Sequence, residues 1–179
     1  MAVTHGLRRA VTLAAAFFGC AFGVAAAGPV SVDTPAPVLD VRLVNGKLVK
    51  ARDLRGKVVV TMIWATWSPA ARMQLGELQG LYTTDRGKGL EVLALSIDES
   101  IGEVREFWRA HAYTMPVAMR SDAFFDHYGR VTTTPMYYVV DRRGVLRHRV
   151  AGTIAPDKLA ALLNSLLAEA PPSERVAGH

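Results

Sequence analysis

Residues 57–72 read Lys-Val-Val-Val-Thr-Met-Ile-Trp-Ala-Thr-Trp-Ser-Pro-Ala-Ala-Arg, and this stretch decides the fold. Its first half, residues 57–64, is rich in β-branched and apolar residues, which is typical of a central strand buried on both faces. Pro69 suits the first turn of a helix, where its missing N–H costs nothing. We therefore expect a strand, a short turn and a helix from Pro69 to about Arg86, ahead of a pair of glycines.

The rest of the chain alternates strand and helix patterns. Further strands are predicted over residues 91–97, 136–140 and 145–150, and further helices over residues 101–112, 123–128 and 156–169. Residues 38–49 alternate in polarity around Asn45-Gly46, a tight-turn dipeptide that predicts a β-hairpin. Asp98, Glu99 and Glu103 are predicted to form an acidic, solvated helix start. This order predicts an α/β fold with a central mixed sheet flanked by helices and an N-terminal β-hairpin.

The first 27 residues have the layout of a secretory signal peptide. A basic start, a mostly apolar run and three alanines precede Gly28. The apolar run is short for a bilayer span, so we expect export, to the periplasm of a bacterium, and a membrane contact only if the segment is retained. Residues 28–37 hold three prolines and predict a linker, residues 38–169 the domain, and residues 170–179 a flexible tail.

Cysteine usage limits the redox chemistry that the chain can perform. Cys20 is the only cysteine among the 179 residues, and it lies inside the predicted signal peptide. Exported proteins live where disulfides persist. After cleavage of the predicted signal, however, the protein would have no thiol of its own.

Charge and histidine spacing argue against two other classes of site. The net charge is +5, and the densest basic cluster, Arg142, Arg143, Arg147 and Arg149, lies on a predicted hairpin without interleaved aromatics. We interpret it as a solvated turn and expect no nucleic-acid partner. The histidines are far apart with no paired spacing, so we expect no metal and no cofactor.

Residues 59–72 resemble the corresponding turn of the TlpA/ResA-like branch of the thioredoxin-like (redoxin) superfamily, whose members are exported thiol-disulfide oxidoreductases. Other stretches resemble it too: Gly56-Lys57, Glu77-Leu78-Gln79, residues 89–93, Thr134-Pro135 and residues 141–144. The resemblance covers roughly residues 35–167 and implies a thioredoxin-like fold.

The same resemblance implies that dithiol chemistry is lost. The family carries Trp-Cys-x-x-Cys at this turn, and the two cysteine positions hold Ser68 and Ala71, neither of which can exchange disulfides. Met62 stands where the family has a buried Asp or Asn. Gln74 stands where ResA-like proteins have a Glu, and an amide cannot transfer a proton. We therefore expect no catalytic residue among these positions.

The resemblance also indicates a binding groove. Pro135 corresponds to the family's cis-proline, and the backbone of Thr134 to the one that pairs with an extended substrate segment. Trp67 would flank the groove, with Ser68 beside it. Two interpretations stay open for Pro135 and Trp67. Either both residues form a binding groove, or Pro135 only shapes the turn and Trp67 only packs. Ser68 either caps the helix or stabilises a ligand anion at the helix N-terminus.

The leading hypothesis is a non-redox binding or assembly module. It would hold a peptide segment, a protein partner or a small thiol ligand in the groove formed by Trp67, Ser68, Thr134 and Pro135. The alternative is a thiol-dependent, glutathione-transferase-like enzyme in which Ser68 stabilises a ligand thiolate. A third possibility is that only the scaffold matters and interaction uses another face.

Overall fold

The computed structural model describes residues 29–37 and 39–171, so the predicted signal peptide and most of the predicted tail lie outside the described residues. In chain order the strands are β1 (Val41–Arg42), β2 (Leu48–Val49), β3 (Val58–Trp64), β4 (Leu90–Ser96), β5 (Val117–Met119), β6 (Met136–Val140) and β7 (Leu146–Ala151). The helices are α1 (Pro69–Asp85), α2 (Ile101–Ala110), α3 (Asp122–Tyr128) and α4 (Pro156–Ala168), with short 3₁₀ helices at Ala51–Leu54 and Arg86–Lys88.

Five strands form one mixed sheet in the order β5-β4-β3-β6-β7. β3 is parallel to β4 and β4 is parallel to β5, whereas β6 runs antiparallel to both β3 and β7. β1 and β2 form a separate antiparallel hairpin, with Gly46 in its turn at a φ of 87°. The predicted α/β fold with a central mixed sheet and an N-terminal hairpin is confirmed.

β3 lies at the centre of the sheet because its residues are apolar on both faces. Every residue from Val58 to Trp64 is buried. Val58 and its even-numbered neighbours pack against α1, α2 and α4, and Val59 and Ile63 face the opposite layer with α3 and the hairpin. The end of β3 and the start of α1 are thereby fixed between two packed layers.

β5 is a strand that the sequence did not predict. It is three residues long and directly follows Pro116. Its pairing is with β4, where Ala94 lies opposite Val117. So short a segment carries no recognisable alternation, and its conformation depends on a partner more than twenty residues earlier in the chain.

The predicted linker packs against the domain. The amide of Asp33 donates to the carbonyl of Leu146 at 2.7 Å, and the amide of Ala36 donates to that of Gly144 at 2.8 Å. Pro35 bridges to Val145 in the antiparallel sense. Residues 33–36 therefore pair with residues 144–146 at the start of β7, because a proline removes only its own donor and its neighbours can still pair.

One member of the basic cluster of the β6–β7 hairpin, Arg142, is structural, whereas Arg143 and Arg149 are exposed. The guanidinium of Arg142 donates to three carbonyls, those of Gly56, Lys88 and Leu167, at 2.8–3.0 Å. These bonds join the hairpin to α4 and to the turn before β3. The interpretation of this cluster as a solvated turn is wrong for Arg142, because its charge satisfies backbone acceptors at the ends of three elements.

Asp141 organises the same turn. Its buried carboxylate accepts hydrogen bonds from the amides of Arg143 and Val145, at 2.9 and 3.0 Å, and from the guanidinium of Arg147 at 3.1 Å. Burial alone would raise the pKa of Asp141, but these hydrogen bonds outweigh it and hold that pKa below its usual 3.8.

Candidate functional site

The turn between β3 and α1 presents Ser68 as the N-cap of α1. Its backbone is extended, with φ −94° and ψ 106°, and its Oγ accepts from the amide of Ala71 at 3.3 Å. Pro69 follows in the first helical turn, as the sequence predicted. Ser68 is only 5% exposed. The capping role is therefore seen directly, whereas the ligand-binding role of Ser68 stays a prediction.

The buried carboxylate of Asp98 holds the turn between β3 and α1 in place by hydrogen bonds. Asp98 is 5% exposed and accepts from the amide of Thr66 at 3.0 Å and from its hydroxyl at 2.7 Å. The hydroxyl of Ser96 donates to the same carboxylate at 2.6 Å. The expectation of a solvated acidic helix start is wrong for Asp98, and the cap of α2 is Ser100 instead. Only the position of Asp98 directly after a buried strand could have signalled this role.

Thr134 and Pro135 lie opposite the N-terminus of α1. The peptide bond between them is cis. The hydroxyl of Ser68 donates to the carbonyl of Thr134 at 3.4 Å, and the hydroxyl of Thr134 donates to the carbonyl of Ile63 at 3.3 Å. The carbonyl of Pro135 accepts from the amide of Gly152, the residue after β7, at 2.8 Å.

A cleft of about 520 Å³ opens between these two segments. Trp67, Ser68 and Pro69 line one side, and residues 131–134 line the other, with Ile97 between them. Trp67 is 65% exposed, so its indole is available to a ligand. The structure thus brings together three of the four predicted groove residues. Pro135 shapes the backbone next to the cleft without lining it.

The wall formed by residues 131–134 has an unused backbone. Within the part of the chain that the structure describes, these residues make no hydrogen bond from one backbone group to another. Their one backbone interaction is the long contact of the Thr134 carbonyl with the Ser68 hydroxyl. Exposed and unpaired donors and acceptors of this kind are what an added strand needs.

The positions of Met62 and Gln74 are structural in this chain. Met62 is fully buried in the layer between the sheet and α1. The Oε1 of Gln74 accepts from the Tyr137 hydroxyl at 2.9 Å and from the amide of Ile154 at 2.8 Å. Burial raises the pKa of Tyr137, which keeps its hydroxyl protonated and able to donate. Gln74 therefore joins α1 to β6 and to the loop before α4.

Two kinds of site are absent from residues 29–37 and 39–171. No group of three or more His, Cys, Asp or Glu residues is placed there to hold a metal ion. Among the helices described, none combines the length and the apolar character needed to cross a bilayer.

Comparison with known proteins supplies the family. The family model described as "AhpC/TSA family" matches residues 32–149. The thiol-disulfide oxidoreductase ResA of Bacillus thuringiensis (strain Al Hakam) is 27% identical over 132 residues, which cover 73% of this chain and 76% of that protein.

Solved structures show the same fold. The thiol:disulfide interchange protein of the thioredoxin family from Chlorobium tepidum TLS has a TM-score of 0.71 at 21% identity, covering 76% of this chain and 98% of that one. A putative thiol:disulfide interchange protein DsbE from Chlorobium tepidum has a TM-score of 0.67 at 25% identity, covering 76% and 99%. These matches confirm the predicted thioredoxin-like fold and the resemblance to the TlpA/ResA branch. The chain belongs to the AhpC/TSA family, and among known proteins it is similar to ResA-like thiol-disulfide oxidoreductases.

Proposed function

We propose that this protein is an exported, non-redox binding module that holds an extended segment of a partner protein in the cleft beside Trp67. The observation that carries the proposal is the unused backbone of residues 131–134, which faces the exposed indole across the cleft. Export is supported by the signal-like layout of residues 1–27.

The two walls of the cleft suit a peptide for different reasons. The amide of Thr134 and its neighbours in residues 131–134 can pair with the backbone of an added strand, which supplies affinity with little dependence on sequence. Trp67 offers a large rigid apolar surface, and an exposed tryptophan that a partner buries often dominates the binding energy. Ile97 extends the apolar floor between them.

The residues at the helix N-terminus support binding without dithiol chemistry. Disulfide exchange needs a thiolate as the attacking group and a thiol as the resolving group. Ser68 and Ala71 occupy the N-cap and the third helical position of α1, and Ser68 already serves the helix. Gln74 is engaged with a tyrosine hydroxyl and a backbone amide, and it cannot take up a proton.

The thiol-dependent enzyme remains the alternative, and no contact of Ser68 favours it. Its Oγ already accepts from one amide and contacts one carbonyl, and the residue is nearly buried. Stabilising a ligand thiolate would require this hydroxyl to turn away from the carbonyl of Thr134. The capping role by itself accounts for the geometry.

The test is selection of peptides from a displayed random library on the wild-type protein, followed by affinity measurement on variants. Trp67→Ala should weaken the selected peptides by at least ten-fold, about the effect of losing one central aromatic contact. Met73→Ala is the matched control, because Met73 is as exposed as Trp67, at 69%, on α1 outside the cleft. Equal losses in both variants would contradict the proposal.

Two further arms separate the alternatives. Wild type should fail to accelerate insulin reduction by dithiothreitol, and the double variant Ser68→Cys/Ala71→Cys should restore it if the cleft is intact. Glutathione-dependent turnover that Ser68→Ala eliminates would establish the enzyme instead. Peptides that bind but respond to none of these substitutions would move the interaction to another face.

A further inference from the structure

A second cavity lies on the other side of the sheet from α1. It has a volume of about 410 Å³ and is bounded by the outward face of β3, β4 and β6, by α3, by β1 and by residues 35–37 and 54–57. None of the residues that line the cleft beside Trp67 lines this cavity. The volume is within the range of pockets that enclose small organic ligands.

The floor and walls of the cavity are apolar. They are formed by side chains of the sheet and of the layer above it, including Val59, Leu93, Leu95, Leu54 and Phe124. The phenol of Tyr128 also lines the cavity, and its hydroxyl is already engaged because it donates to the carbonyl of Pro37 at 2.8 Å. A ligand that fills this space must therefore be mainly apolar.

The charged part of the cavity lining is mainly cationic. Four basic residues, Arg55, Lys57, Arg142 and Arg143, line the cavity together with one acid, Asp141. Asp141 is already paired with two arginines, one of them Arg147 at 3.1 Å.

The four basic residues of the lining differ in the ion pairs and hydrogen bonds that their side chains make. Lys57 pairs with Glu91 at 3.0 Å, and Arg143 pairs with Glu169 at 3.4 Å. Arg142 is committed to backbone carbonyls. Arg55 is exposed and makes no ion pair with a described residue. Arg55 is therefore the guanidinium of the lining whose side chain has neither an ion pair nor a hydrogen bond to a described residue.

We infer that this cavity binds a long-chain carboxylate, with the alkyl chain in the apolar space and the carboxylate on the guanidinium of Arg55. An arginine fork matches a carboxylate in geometry as well as in charge. The alkyl chain supplies binding energy by leaving water, and this contribution grows with each methylene that is buried. This inference stands apart from the peptide cleft and does not depend on it.

Titration calorimetry with decanoate and with decanol tests the inference on the whole protein. Decanoate should bind wild type about ten-fold more tightly than decanol, because a hydrogen bond to a charged group is worth roughly that factor. Arg55→Ala should remove this preference by weakening decanoate alone. Arg52→Ala is the matched control, since Arg52 lies in the 3₁₀ helix whose C-cap is Arg55, has a side chain that is 71% exposed and does not line the cavity.

Two occluding variants locate the site. Leu39 and Val41 both line the cavity and are half-buried. Leu39→Trp and Val41→Trp should each abolish decanoate binding, provided that the variant unfolds at the same denaturant concentration as wild type. Amide shifts in the NMR spectrum should appear at Leu93 and Val140 and not at Thr134.

Three results would overturn the inference. One is equal affinity for the acid and the alcohol, which would leave an apolar cavity without carboxylate recognition. Another is decanoate binding that survives in a folded occluding variant. The third is no binding of decanoate up to its solubility limit.

Discussion

Replacing Asp98 with alanine tests how the cleft is held. The carboxylate accepts three short hydrogen bonds, two from Thr66 and one from Ser96. Ser96 is fully buried, so its hydroxyl cannot turn to water after the change, although it still accepts from the backbone amide of residue 98 at 3.0 Å. Thr66 is half-buried, so its donors can be hydrated in part.

The expected cost follows from these differences. A buried donor left unsatisfied costs about 1–3 kcal/mol, and each lost bond to a charged acceptor costs about 1.5–3 kcal/mol, from which the relieved burial of the carboxylate must be subtracted. We expect Asp98→Ala to lower the free energy of unfolding by about 3 kcal/mol. For a domain of this size that corresponds to a decrease in Tm of roughly 6–12 °C.

Urea denaturation followed by tryptophan fluorescence measures this change, and an unaltered m-value would show that the denatured state is unaffected. Glu99→Ala is the control, because Glu99 is the exposed neighbouring acid and its loss should change stability by less than about 0.5 kcal/mol. Asp98→Ala should also weaken peptide binding at Trp67, since Thr66 precedes it. A loss below about 0.5 kcal/mol for Asp98→Ala would refute the reasoning.

Three other substitutions have expected outcomes. Ser68→Ala should cost about 1 kcal/mol of stability by removing the cap of α1, and an unchanged urea midpoint would count against that cap. Gln74→Leu should cost about 2–3 kcal/mol because it leaves the Tyr137 hydroxyl buried without a partner, and thermal unfolding measures this. Asp141→Asn should destabilise the protein at pH 7. Because the folded-state pKa of Asp141 lies below 3.8, its stabilising effect is present above that value and is lost as the pH falls through the lowered pKa. The difference between wild type and Asp141→Asn in urea should therefore shrink below pH 3.8, and a constant difference would contradict the assignment.

The sequence predicted the elements that local physics determines. β3 could be predicted because residues 58–64 are mostly apolar on both faces. α1 could be predicted because Ser68 and Pro69 mark its start. β5 was missed, since three residues contain too little pattern and their conformation depends on pairing with β4.

In the candidate site, too, local sequence predicted some roles and not others. Ser68 could be predicted as a helix cap from its residue type alone. The proximity of Ser68 to Thr134, 66 positions later, came from the resemblance, since no local pattern connects them. The prediction for Asp98 was wrong because the local sequence does not distinguish a solvated carboxylate from one that is hydrogen-bonded to Thr66. Contacts between neighbouring strand ends decide which of the two occurs.

Hydrogen exchange at residues 131–134 tests the central claim most directly. Their amides make no backbone hydrogen bond within the described residues, so they should exchange rapidly in the unliganded protein. A peptide recovered from the library selection should slow exchange at Thr134 and at alternate amides of this segment, because pairing with an added strand protects every second residue. Saturation with such a peptide that leaves exchange across residues 131–134 unchanged would contradict the account.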